Sequence, residues 1–143
     1  MSSGPENSGE NGGVTALPVR LPGLDIGDGL QRMGGDSDFF VEMVKDYCEA
    51  FLDFGARFRN LVSRKEYLTA RREAHSLKGA AGNISAKDLF TAAKSLEHAC
   101  TGKDDAQILN LLASVEEALA IVTASAARLS ALVGAPGPEP LPG

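Results

Sequence analysis

The feature that most constrains this chain is a set of apolar stripes spaced by threes and fours, repeated four times in its central part. The first begins at Phe40 and continues through Met43, Val44, Tyr47, Cys48, Phe51, Phe54, Phe58, Leu61 and Val62. A second runs through Tyr67, Ala70, Ala74, Leu77 and Ala81, and a third through Leu89, Ala92, Ala93, Leu96, Ala99 and Cys100. The last is the most regular, with Ile108, Leu111, Leu112, Val115, Leu119, Val122, Ala126, Leu129 and Leu132. Residues three and four apart share one side of an α-helix, so each stripe marks a helix with one face to bury. No segment sustains apolar–polar alternation with β-branched enrichment, and no sheet is expected.

The punctuation between stripes agrees with this reading. Asp36 is a good N-cap for the first helix. Gly55 falls inside that stripe at a cost of about 1 kcal/mol relative to Ala, tolerable in a helix of that length. Gly82 and Asn83 stop the second helix. Ser85, with Asp88 three residues on, reads as the N-cap of the third in a variant capping box. Gly102 ends the third, Asp104 or Asp105 caps the last, and Gly134 and Pro136 close it.

Short connections favour antiparallel neighbours, so the expected fold is all-α: an antiparallel four-helix bundle, up-down-up-down. Leu24, Ile26, Leu30 and Met33, bounded by glycines, predict a short N-terminal helix capping it. Residues 1–22 read as a flexible leader or linker, 23–133 as the bundle and 134–143 as a flexible tail. The two end segments are rich in Gly, Ser, Asn and Pro and bury too little apolar surface to offset chain entropy. A length of 143 residues suits one domain. The four stripes suffice for a single core, so a monomer is expected.

Several function classes drop out. Met1 is followed by Ser, Gly, Pro, Glu and Asn rather than a basic then apolar leader. The apolar runs are broken by charge before the roughly 18 residues of a membrane span, so a cytoplasmic protein without membrane contact is expected. A net charge of −5 argues against nucleic acid, which demands a clustered positive face. Cys48 and Cys100 fall among apolar residues and read as structural thiols. No glycine-rich nucleotide loop, zinc-spaced Cys/His set or nucleophile elbow occurs, so no ATP site, metal or cofactor is expected. Phe39, Phe40, Phe51, Phe54 and Phe58 read as core, with one or two near the N-terminal helix free to border a docking patch. Glu116 and Glu117 read as a solvated face.

The chemistry therefore rests on two histidines. At about 100° per residue, His75 lies more than a quarter-turn from the middle of the Ala70, Ala74, Leu77 stripe and should face water. Arg71 is one turn before it, Lys78 and Gly79 one turn after, and Gly82 two turns after. Between Ser63 and Ala80 five cations, Arg64, Lys65, Arg71, Arg72 and Lys78, stand against Glu66 and Glu73, a local basic face in an acidic chain. A neutral imidazole is a competent nucleophile, and phosphoryl transfer asks the protein mainly for positioning and charge compensation. His98 reads as a partly exposed neutral residue. With Cys100 it cannot form a metal pair, because residues two apart on a helix diverge.

The stretch AHSLKGAAGNISAKDL, residues 74–89, closely resembles the signature of histidine-phosphotransfer (HPt) domains, H-x-L-K-G followed by small residues; His75, Leu77, Lys78, Gly79, Ala80 and Ala81 match it in order. LPGLDIGDGLQRMGGDSDFF, residues 21–40, is similar to the opening of such domains in hybrid sensor kinases, and LFTAAKSLEHAC is similar to their third bundle helix. The resemblance covers roughly residues 21–133. It implies a phosphorelay intermediate rather than an enzyme, in which His75 accepts a phosphoryl group from a receiver-domain aspartate and passes it to another receiver. Lys78 would compensate charge and Gly79 would give steric access. Mg²⁺ would sit on the receiver, and the partners would be receiver domains and a hybrid sensor histidine kinase. Arg71, Arg72 and Gly82 would border the docking surface, where opposite potentials steer encounter. Ser85 departs from the glycine many members carry, and Gly82 is unusual in the small-residue run. The rival reading is a non-catalytic helical adaptor for receiver or kinase domains.

Overall fold

The structure, a computed structural model, describes residues 17–134. The expected leader up to residue 16 and the tail from residue 135, with Pro136, lie outside the described residues. Two short strands, β1 (Arg20–Leu21) and β2 (Leu24–Asp25), precede the helices α1 (Ile26–Arg32), α2 (Ser37–Ala50), α3 (Phe54–Ser63), α4 (Tyr67–Asn83), α5 (Lys87–Ala99) and α6 (Asp105–Gly134). A single 3-10 turn (Cys100–Gly102) leads into α6. The fold is an all-α bundle, as the stripes predict. One continuous core runs through it, with Phe40, Phe54, Phe58, Leu77, Leu96, Ile108, Leu112 and Leu129 fully buried. Each such side chain contributes about 1.5–3 kcal/mol of burial. Asp36 caps α2 by accepting from the Phe39 N–H, and Asp104 caps α6 by accepting from that of Gln107.

The first long stripe is two helices, not one. At residues 51–53 the ladder gives way to short-range bonds, Leu52 N–H to Glu49 O at 3.4 Å and Phe54 N–H to Phe51 O at 3.1 Å. The apolar phase survives the break: Phe51 and Phe54 pack edge-to-face at 6.1 Å and Phe54 and Phe58 at 5.4 Å, so periodicity alone could not reveal it. The break brings α3 against α6, where a Cβ on Gly55 would lie 1.9 Å from Glu116 Oε2. Glu116 stays part-exposed, with 36% of its side chain open to solvent, and there chelates the Arg59 guanidinium through two bonds of 2.6 and 2.7 Å, while Glu117 is exposed as expected. Of the phenylalanines, Phe39 is 55% exposed and leaves the expected core set, while Phe40, Phe54 and Phe58 are buried.

The expected absence of sheet needs a small correction: β1 and β2 form a two-residue antiparallel ladder. Its tight turn uses Gly23 at φ +78°, and the turn sits on α6, where the Ser125 hydroxyl donates to Pro22 O. Leu21 is buried and Leu17 packs on the core, so the boundary expected near residue 22 lies further toward the N-terminus. Ser85 is not the N-cap of α5. That position belongs to Ala86, with no side-chain cap bond, and Ser85 is a buried residue at φ +58°. Its hydroxyl donates to Asp28 Oδ2 at 2.7 Å and its carbonyl accepts from Asp25 N–H at 3.0 Å, tying the N-terminal segment to the turn between α4 and α5.

Helix α6 overturns one further expectation. Over Asp105–Val133 it is long and apolar enough, by length and composition, to cross a membrane. Glu116, Glu117 and Arg128 are the charges that interrupt its apolar length after Asp105, too few to break the run as expected. Its buried side, Ile108, Leu112, Val115, Val122, Ala126 and Leu129, lies in the bundle core, whereas Leu109, Ile121, Leu132 and Val133 are exposed. Cys48 and Cys100 are both free and buried, and burial pushes both thiols up.

Candidate functional site

The site is built where α4 and α5 lie against each other. The buried side of α4 carries Ala70, Ala74, Leu77, Ala80 and Ala81, and α5 answers with Leu89, Ala93 and Leu96. So many small side chains let two helices come close. The tight connection at residues 84–86 returns α5 antiparallel along α4, which places residues equidistant from Ala86 side by side. His75 and Glu97 are such a pair.

His75 points away from the core, with 65% of its side chain exposed. Its Nδ1 lies 2.9 Å from Glu97 Oε2. The other carboxylate oxygen, Oε1, accepts from Lys78 Nζ at 2.8 Å. Glu97 is thus shared between the histidine and the lysine, and only 14% of its side chain is exposed. The bond from Lys78 holds the Glu97 carboxyl below the usual carboxylate range against the opposing effect of burial, and the bond from His75 adds to it. A carboxylate offers only acceptors, so the hydrogen on the ring belongs to Nδ1. In the neutral imidazole that leaves the lone pair on Nε2, the nitrogen away from Glu97.

The other sequence-derived residues fall as follows. Gly79 is exposed on the same side of α4, and a Cβ built there meets nothing within 4 Å. Nothing in the chain's own packing demands a glycine at that point. Gly82 is half-covered: a Cβ there would touch Phe90 at 3.4 Å, and its carbonyl accepts from Arg32 Nη1 at 2.7 Å. Arg71 and Arg72 are exposed, and among the described residues no ion pair engages either. The other three cations of the expected basic face are compensated, Arg64 by Glu66, Lys65 by Asp105 and Lys78 by Glu97. The free positive charge on that face is Arg71 and Arg72. His98 is exposed and stands apart from the His75 site. Leu68, seven residues before His75 and so on the same side of the helix, is 58% exposed. Among the described residues no cluster of three His, Cys, Asp or Glu side chains is placed to hold a metal ion.

Sequence reasoning missed Glu97. Its only signal was indirect: a tight turn centred near Ala86 pairs position 97 with position 75.

Comparison with known families matches residues 42–132 to the Hpt domain. No curated protein and no solved structure matches the chain. The match starts after α1 and spans α4 and α5 with the whole His75 site. The chain belongs to the Hpt domain family, the histidine-phosphotransfer modules of phosphorelays, which interact with receiver domains and kinases and carry phosphoryl groups without an ATP site of their own.

Proposed function

We propose that this protein is a phosphorelay intermediate in which Nε2 of His75 accepts a phosphoryl group from the phosphorylated aspartate of one receiver domain and returns it to the aspartate of another. The observation that carries this is an exposed imidazole whose Nδ1 is bonded to Glu97, leaving Nε2 with its lone pair on the open side. Lys78 stands beside the ring, already pinned, and compensates the charge that arrives. Gly79 leaves a gap beside His75 through which a partner's backbone reaches the ring in line. Arg71 and Arg72 supply uncompensated positive charge for an acidic receiver face, and exposed Leu68 supplies apolar contact on the same side. The receiver brings the Mg²⁺ and the acidic pocket.

The test is incubation of wild type and His75→Gln with a phosphorylated receiver and Mg²⁺, followed by detection of acid-labile, base-stable phosphate on this chain. Label on wild type alone supports the relay role and its site. Absence of label on both, across several receivers, would favour a helical adaptor that binds its partners without chemistry.

A further inference from the structure

We propose that the outer side of α6 is a pairing surface for a second copy of this chain, in which two α6 helices lie antiparallel and Glu117 of each copy meets Arg128 of the other. Pairing there is independent of the chemistry at His75, and it replaces the single copy expected from the stripes.

Helix α6 carries more apolar surface than the bundle core uses. Only 28% of its most apolar 18-residue stretch is buried. At about 100° per residue, Ala113, Glu117, Ile121, Ala124, Arg128 and Leu132 fall within about 60° of one line, on the side opposite the buried Ile108, Val115 and Ala126. All six are exposed, Ile121 and Leu132 by 42% each. The bundle by itself gains nothing from holding these apolar groups in water.

The charges on this side select the occupant. Glu116 is taken by Arg59, whereas among the described residues neither Glu117 nor Arg128 enters an ion pair. They stand about three turns apart, one at each end of the apolar middle of the strip. A lipid surface would draw both out of water without a counter-charge, at a steep cost. A second copy related by a two-fold axis supplies each with the other as its counter-charge. With the axis level with the bond between Val122 and Thr123, Glu117 of each copy faces Arg128 of the other. The same register sets Ile121 against Ala124 and Leu132 against Ala113, a large side chain on a small one each time, so the two helices interlock. The contact runs over residues 113–132, about 30 Å of helix and about 10 Å wide. A strip of that size belongs with the smaller, reversible interfaces, so the dissociation constant is on the order of 100 µM. Because both copies use the same surface, association closes at two.

Sedimentation equilibrium of the full chain from about 10 µM to about 1 mM reads this pairing directly. Wild type should pass from one copy to two and no further. Glu117→Arg and Arg128→Glu each turn two attractive pairs into two repulsive ones, and each should raise the dissociation constant about tenfold or more. Both substitutions in one chain restore the pairs with their signs exchanged and should bring association back to within about threefold of wild type. A mixture of the two single variants should pair more tightly than either variant alone, a gain that misfolding of either could not produce. Wild type that stays single at about 1 mM, single and double variants that associate equally, a species larger than two, or a chain that floats with phosphatidylcholine vesicles while single in solution would overturn the inference.

Discussion

Replacing Gly79 should make the protein more stable and less active at once. Gly79 lies inside α4, where glycine costs about 0.5–1 kcal/mol relative to alanine through backbone entropy. That cost is normally tolerated because a side chain would collide with a neighbour, yet here a Cβ meets nothing within 4 Å. Gly79→Ala should therefore recover about 0.8 kcal/mol. With an unfolding entropy of about 2.1 cal/mol/K per residue over the about 120 described residues, that amounts to a rise of about 3 °C in Tm. Transfer from a phosphorylated receiver should slow, modestly for alanine and by at least about tenfold for Gly79→Leu, whose branched side chain fills the gap beside His75. Differential scanning calorimetry gives the first number and quenched-flow autoradiography the second. A fall in Tm for Gly79→Ala would show that the open space is illusory. Wild-type transfer rates for Gly79→Leu would show that the receiver does not approach along this side of α4.

Three other substitutions test the scaffold. Gly29→Ala would put a Cβ 2.4 Å from the Phe40 ring and should destabilise by about 1–3 kcal/mol in urea titrations, through overpacking of a side chain that cannot retreat. Ser85→Ala removes the hydroxyl that binds Asp28 and should cost about 1–3 kcal/mol, while Ser85→Gly, which suits the positive φ, should cost less; chemical denaturation of the pair separates the two contributions. The Glu97 carboxyl is depressed in the folded state, so it binds fewer protons there than in the unfolded chain. Its stabilising contribution is present above the unfolded value of about 4.3 and is lost as pH falls through the folded one. The stability difference between wild type and Glu97→Gln should accordingly be present at pH 7 and shrink as pH falls below about 4.3, and a difference that stays constant into acid would remove the pairing with Lys78 and His75 as its cause.

The helices were legible because each buries a stripe, and a stripe is a pattern within one segment. His75, Lys78 and Gly79 share a segment too, so their common side of α4 followed from spacing. What failed to show were relations between segments. The break at residues 51–53 keeps Phe51, Phe54 and Phe58 in phase, so nothing in the local pattern records it. Ser85 has the identity of an N-cap and the neighbour a capping box needs, but the turn takes it into the left-handed region and its hydroxyl goes to Asp28, far away in sequence. The pairing of Glu116 did not show because the Arg59 that holds it, and the Gly55 that makes room for it, come from another helix. In α6 the spaced charges were read as breaks, although an average over 18 residues, about five turns of helix, absorbs them.

Glu97 shows why the missing part of the site matters chemically. A histidine and a lysine on one helix turn could each be a solvated side chain, and their spacing alone gives neither a tautomer nor an orientation. The small residues on the facing sides of α4 and α5 bring the two helices close enough for one carboxylate to reach both groups. Close approach is also what lets α4 carry two exposed or half-exposed glycines, since the helix is held by packing against α5 rather than by its own propensity. The same alanine-rich contact therefore does two things. It stabilises a helix weakened by Gly79, and it brings the Glu97 carboxylate within hydrogen-bond reach of Nδ1 of His75.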